Sequence, residues 1–165
     1  MTSLDLLSAV LIGCGATLLA DLWAQLLQRF GIPGLNLAML GRWVGHFYYG
    51  QFFHVSINQA RPISHELILG WLMHYLTGIL LAALLLLGCG AAWLRQELLF
   101  PAIALGLCSV ILPYFVMQPA MGLGIAASKT ATPLKNCLKS LIYHLVFGLG
   151  LYLSASLMQS LFRAE

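Results

Sequence analysis

Four apolar runs dominate this sequence, each long enough to cross a hydrocarbon layer about 30 Å thick at roughly 1.5 Å of helical rise per residue. They cover residues 4–27, 67–89, 101–124 and 138–162. Polar or turn residues bound them: Gln28-Arg29 before Gly31-Ile32-Pro33-Gly34, Glu66 ahead of the second, Gly88-Cys89-Gly90 behind it, and Pro101 as a first-turn residue of the third. No segment alternates with period two, which excludes a β-barrel. The expected fold is therefore all-α: one domain over residues 1–165, an integral membrane bundle of four transmembrane helices with a long, partly helical interfacial loop at 28–66.

Charge supports lipid as the solvent. The chain is 61% hydrophobic and 8% charged, against about a quarter charged in a soluble domain. Too little polar surface exists to cover an apolar interior in water. No run of Lys or Arg could follow a nucleic-acid backbone, so no nucleic-acid partner is expected. Cys14, Cys89, Cys108 and Cys137 are scattered without a C-x-x-C pair and read as small apolar residues. Leu11-Ile12-Gly13-Cys14 has the letters of a lipoprotein cleavage box. Asp5 stands where a basic n-region belongs, however, and the first basic residue is Arg29, so an uncleaved first helix is expected.

Orientation follows from Lys and Arg. Arg29, Arg42, Arg61, Lys129, Lys135 and Lys139 flank or fill the first and third loops; Arg95 and Arg163 lie on the opposite side. This places loops 1 and 3 in the cytoplasm and both termini on the outer side. Loop 1 crowds Trp43, Phe47, Tyr48, Tyr49, Phe52 and Phe53 into one short stretch. Aromatics belong at the membrane–water boundary, so 35–47 reads as an interfacial helix, with Trp43 and Phe47 at headgroup level and Arg42 turned toward water or phosphate.

Ionisable groups deep in lipid cost a few kcal/mol each, about 3 on the lenient insertion scale. Asp21, His74 and His144 lie well inside the spans. Counted from the cytoplasmic ends, each lies roughly 9–11 Å in at the helical rise, and Gln118 falls in the same layer. Four helices thus each bring one polar side chain to one level. Stripes with a four-residue step support an inward face: Gly13, Thr17, Asp21, Gln25; Glu66, Gly70, His74, Gly78; Ser140, His144, Gly148, Tyr152. A faint internal repeat accompanies them. Gly13, Asp21 and Gln25 have the spacing of Gly106, Tyr114 and Gln118, and His74-x3-Gly78 has that of His144-x3-Gly148.

Other constellations are weaker. His46, His54 and His65 in loop 1 lack a tight ligand spacing and read as interfacial. Gly122-x-Gly124-x-x-Ala127 neither follows a strand nor opens a dinucleotide-binding helix. Next to Ser128-Lys129-Thr130 it could meet a lipid phosphate. Met117 and Met121 beside Gln118 could offer soft ligands, but Met in an apolar helix is usually packing. No nucleophile–base pair is legible, so a non-enzyme is favoured.

The segments Asp21-Leu22-Trp23-Ala24, Gly41-Arg42-Trp43-Val44-Gly45-His46, Gln118-Pro119-Ala120-Met121-Gly122-Leu123-Gly124-Ile125-Ala126-Ala127-Ser128 and His144-Leu145-Val146-Phe147-Gly148-Leu149-Gly150 resemble a family of small bacterial inner-membrane proteins catalogued as a domain of unknown function. The resemblance spans nearly the whole chain and implies a bacterial inner membrane; it implies no activity.

The expected function is transport or binding of a small solute, a metal ion or a proton at a polar site of Asp21, His74, Gln118 and His144. Thr17, Gln25, Gly78, Ser140 and Gly148 support that site, and His74 and His144 are candidate metal ligands. Four helices are few for a solute pathway, so a homo-oligomer is expected. A second expectation is a b-type haem protein, with His74 and His144 as axial ligands and Gly78 and Gly148 leaving room for the ring. A third is a structural bundle without ligand. Cysteine labelling in whole cells should find positions 34–61 and 129–135 on the cytoplasmic side and both termini outside; a cytoplasmic C-terminus would overturn the charge count.

Overall fold

A computed structural model describes residues 3–90, 92–96 and 98–163, with the side chains of residues 3, 4, 95, 162 and 163 left out. The side chains of Arg95 and Arg163, counted above for orientation, therefore lie outside the described set. Among the described residues there is no strand. The helices are α1 (Ser3–Arg29), α2 (Leu37–Gly45), α3 (Glu66–Cys89), α4 (Ala92–Gln96), α5 (Leu99–Ala120) and α6 (Pro133–Arg163). Short 3-10 turns occupy His46–Tyr49, Ile57–Gln59 and Ile125–Ala127. Four helices, α1, α3, α5 and α6, are long and apolar enough to cross a membrane.

The helix ends differ from the apolar runs for local reasons. α5 stops at Ala120, not at 124, because Gly122 (φ +84°) takes the left-handed conformation of a Schellman ending. Leu123 N–H bonds the Gln118 carbonyl at 2.8 Å and Gly122 N–H that of Pro119 at 3.0 Å. α1 ends the same way at Gly31 (φ +76°), with Ile32 N–H on Leu27 and Gly31 N–H on Gln28. α6 begins at Pro133, five residues before the apolar run, since a helix needs only its backbone to continue into polar sequence. Pro133 supplies a favoured first residue, and Asn136 N–H bonds the Thr132 carbonyl at 3.0 Å. Within α5, Pro113 lacks an N–H, and residues Pro113–Met117 widen into a π-turn with Gln118 N–H bonded to the Pro113 carbonyl.

The chain divides into two compact units. The first comprises Met1–Gly34, Tyr75–Ser109 and Ile142–Glu165, and holds the apolar core. That core is rich in small residues: Ala9, Ala16, Ala20, Ala82, Ala102 and Ala155, with Ile12, Leu151 and Trp93. Large residues face outward; Leu72, Leu80 and Leu87 of α3 are 63%, 60% and 62% exposed. In water this distribution would waste the hydrophobic effect. In lipid it is the favourable one, because leucine gains nothing by leaving the tails, while small residues let backbones approach and gain van der Waals contact.

Glycines mark those approaches. A Cβ on Gly13 of α1 would sit 2.5 Å from Ile79 Cα and 2.8 Å from the Gly78 carbonyl of α3. One on Gly106 of α5 would sit 2.6 Å from Gly148 Cα and from the His144 carbonyl of α6. The two crossings use glycines that correspond in the internal repeat. The second unit, Leu35–His74 with Val110–Leu141, has its own crossing of α2 on the start of α3. There a Cβ on Gly41 would strike the Glu66 carbonyl, and one on Gly70 the Leu37 carbonyl.

Gly106→Leu should therefore destabilise by about 1–3 kcal/mol or more, the cost of overpacking a tight contact, and should lower the thermal midpoint in detergent. Gly88→Leu, a helical glycine with nothing within 4 Å of a Cβ, should leave it unchanged. Equal midpoints for the two variants would show that the crossing is not tight.

Candidate functional site

The four expected site residues fall in different units: Asp21 and His144 in the first, His74 and Gln118 in the second. Asp21 is half-buried on α1, and its Oδ2 accepts the Tyr75 hydroxyl of α3 at 3.1 Å. Tyr75 directly follows His74, so the partner expected to be an imidazole includes a phenol. One turn earlier, buried Thr17 donates to the Gly13 carbonyl at 2.8 Å and fills the space over Gly78. Gln25 is exposed: a four-residue step drifts around the helix, and by Gln25 the stripe has left the inward face. His74 is half-buried, with its ring edge-on to Trp71 at 6.2 Å. Ser140 is half-buried and Gly148 buried.

His144 Nδ1 lies 2.7 Å from Ser109 Oγ, and the same oxygen lies 2.6 Å from the Gly106 carbonyl. A hydroxyl has one proton. With that proton on the Gly106 carbonyl, Ser109 accepts the Nδ1–H of His144. Serine beside imidazole is also the contact a hydrolase uses. Here the serine is 5% exposed at the Gly106–Gly148 crossing, where no substrate carbonyl can reach it.

The crossings correct the haem expectation. Gly78 and Gly148 were to leave room for a porphyrin, but both positions are filled. A Cβ on Gly148 would meet the Ala102 carbonyl at 2.9 Å, and the space at Gly78 holds Thr17 Oγ1, with Phe147 3.5 Å away. These glycines serve helix contact, and the haem does not fit beside them.

The second unit holds polar groups that sequence alone misplaced. Arg42 does not turn to water or phosphate. Its Nε and Nη2 each meet a Glu66 oxygen at 2.8 Å, and Nη1 reaches the Ile57 and Ala60 carbonyls at 3.3 and 3.4 Å. The two side chains are 16% and 19% exposed, and the carboxylate holds Arg42 above its ordinary pKa. His46 and His54 are buried within the protein and meet, with His46 Nδ1 2.6 Å from His54 Nε2. His65 is exposed, at φ +60°. The signal that could have found the pair is symmetry about Gly50 (φ +69°), a reversal with one histidine four residues to either side. Trp43 closes that reversal through its indole N–H to the Phe52 carbonyl at 2.8 Å and an edge-to-face contact with Phe47 at 4.9 Å.

The returning segment of loop 1 meets the end of α5. His54 N–H bonds the Ala120 carbonyl at 2.8 Å, Ile57 N–H bonds that of Met121 at 3.0 Å, and Gly122 lies against the Val55 carbonyl. Gln118 is 8% exposed, and its Oε1 has no hydrogen-bond partner. In the following loop, Ser128 N–H and Lys129 N–H are taken by the Ile125 and Leu123 carbonyls at 3.0 Å each, so those two amides do not point at a phosphate. Among the described residues, no three His, Cys, Asp or Glu side chains gather around a common point for a metal.

Fold and sites together define an all-helical protein with four helices of membrane-crossing length and hydropathy, carrying ionisable groups within them. The family described as Protein of unknown function (DUF2938) matches residues 10–158, and the chain belongs to it. No curated protein and no solved structure matches the chain.

The Arg42–Glu66 pair ties loop 1 to the start of α3, so removing one partner should leave a largely desolvated charge. Arg42→Met should destabilise by roughly 1–3 kcal/mol, the cost of unmaking hydrogen bonds to a charged group. Arg42→Met with Glu66→Leu should recover much of that loss in thermal melts. An Arg42→Met midpoint equal to wild type would mean that the pair is too wet to matter.

Proposed function

We propose that the chain is a multi-pass protein of the bacterial inner membrane that binds or transports a small solute, a metal ion or a proton. Its candidate ligand groups are Asp21 and His144 in the first unit and, taken separately, His74 and Gln118 in the second. The observation that carries this reading is Asp21: a carboxyl within the first span, half-buried and bonded by a hydroxyl from α3. An ionisable group kept within a span is a functional candidate by default, because a neutral residue would fill the place without the insertion cost. The Tyr75 hydroxyl donates to one carboxylate oxygen and orients the group. His144 is oriented by Ser109 through Nδ1 and brings an imidazole to the fourth span. The outward leucines and inward alanines support a lipid surround. The six basic residues about loops 1 and 3 support their cytoplasmic placement, and a homo-oligomer supplies helices that a solute pathway needs beyond four.

Asp21→Asn tests the reading, because an amide oxygen still accepts the Tyr75 hydroxyl and packing should survive. Binding or uptake is measured from pH 5 to 8 with metal ions and small solutes, comparing wild type, Asp21→Asn and His144→Gln. Asp21→Asn should weaken binding about tenfold or more, the equivalent of one charge-assisted hydrogen bond, and should abolish its pH dependence. Identical, pH-independent profiles for three normally folded proteins would reduce these groups to interhelical hydrogen bonding.

A further inference from the structure

His46 and His54 form a contact that neither the spans nor the Asp21 reading explains. Their rings are 4% and 7% exposed. The ring centroids lie 4.8 Å apart with planes 19° from parallel, and the facing nitrogens are 2.6 Å apart. The centroid separation is about the nitrogen–nitrogen distance plus one ring radius at each end. The imidazoles therefore meet end to end, nearly in a shared plane, and not face to face. This is the geometry of an N–H···N hydrogen bond directed along a nitrogen lone pair. One inner nitrogen must carry the proton and the other must accept it. Two inner N–H groups would point at each other.

The surroundings restrict the charge this pair can hold. From α2 comes Arg42, and from the start of α3 comes Glu66, whose carboxylate lies close enough to attract a charge on His46. Those two are paired with each other, so their fields largely cancel at the imidazoles. The Tyr49 ring stands edge-on to His46 at 6.4 Å. From the end of α5, the Ala120 carbonyl lies beside His54, but it already accepts the backbone N–H of that residue. His54 Nδ1, buried, is left without a hydrogen-bond partner. Burial first, and then the neighbouring His46, push the His54 pKa below the usual imidazole value, with the Ala120 carbonyl opposing them.

We propose that His46 and His54 together form a buried proton-binding site that takes up one proton, shared by both rings, and excludes a second. In the neutral pair each ring has one N–H, and one of these fills the gap between the rings. An arriving proton adds to the outer nitrogen that still has a lone pair, either His46 Nε2 or His54 Nδ1. The inner proton can then lie on either ring, so the single positive charge belongs to both. Loss of a proton from the opposite outer nitrogen restores a neutral pair with the inner proton transferred. The dyad can thus hand one proton from the His46 side to the His54 side without any ring leaving the pair. The inference stands apart from the Asp21 reading and survives its failure.

The test is a titration of the full-length protein, labelled with 15N-histidine and held in nanodiscs, from pH 4.5 to 8. Ring nitrogen shifts of His46 and His54 should follow one common curve with a total uptake of one proton. Its midpoint should lie below the ordinary imidazole value of about 6.5. His54→Gln should abolish the common curve. Two independent curves of one proton each would overturn the proposal, as would ring shifts that do not move across the range. A second readout needs no variant to fold. The His54 pKa is depressed in the folded state, so its neutral form contributes stability in full above about pH 6.5. That contribution is lost as pH falls from there toward the folded value. The wild-type thermal midpoint should drop between pH 7.5 and 5; a midpoint constant over that range would also overturn the proposal.

Discussion

The backbone-to-backbone approach of helices at Gly13–Gly78 and Gly106–Gly148 is the contact on which the first unit depends. Between two helices in lipid the hydrophobic effect supplies no net attraction, since a leucine is as well solvated by acyl chains as by another leucine. What remains is dispersion between closely packed atoms, small for each pair and falling steeply with distance. Only residues without a side chain allow the main chains to come near enough to collect it. The alanine-rich core on α1, α3, α5 and α6 follows from the same requirement, as does the outward display of leucine. Polar side chains at these crossings then have little freedom. Thr17 bonds its own helix at Gly13, and Ser109 bonds its own helix at Gly106 while holding His144.

In the second unit the organising contact is ionic. Arg42 grips Glu66 with two nitrogens and the Ile57 and Ala60 carbonyls with a third, so one side chain joins α2, the returning part of loop 1 and the first turn of α3. With loop 1 held there, its returning segment can bond the end of α5 through His54 and Ile57, and the two histidines are carried into burial. An aromatic stretch that reads as an amphipathic surface element thus becomes a packed loop with a polar interior. Tyr48, Phe53 and Val55 remain outside it, 89%, 75% and 97% exposed.

Much of this was legible in the letters, and the reasons for the rest are physical. Hydropathy located four long helices because lipid demands about twenty apolar residues in succession. The ends of α5 and α6 differ from those of the apolar runs because helix ends answer to backbone conformation, at Gly122 and Pro133, and not to hydropathy. Periodicity put Thr17, Asp21 and Gln25 on one stripe in which only adjacent members must face together; Thr17 is buried, Asp21 half-buried and Gln25 exposed, as the drift of a four-residue step accumulates. The π-turn at Pro113–Met117 inserts a residue into the helical count of α5, so a regular period does not carry through it. The His46–His54 pair was hidden because ligand-spacing rules assume a helix or a tight loop. These two residues meet only after a reversal at Gly50 that depends on contacts made by Trp43.

The long motif from Gln118 to Ser128 separates into letters that the backbone explains and one that it does not. Gly122 has to be glycine twice over, for its positive φ and for its contact with the Val55 carbonyl. Gly124 takes a conformation (φ +76°, ψ 169°) essentially confined to glycine, and Ala126 and Ala127 keep small side chains at φ +50° and +59°. Ser128 and Lys129 return their amides to the Ile125 and Leu123 carbonyls. All of this shapes one turn and docks it on loop 1. Gln118 contributes nothing to that turn that another residue's carbonyl would not, yet it buries an amide whose oxygen meets no donor. A buried unpaired acceptor costs roughly 1–3 kcal/mol, and leucine would cost nothing there. Such a group is held against its own energetics, and the backbone conformation that accounts for the glycines and alanines of the motif does not account for Gln118.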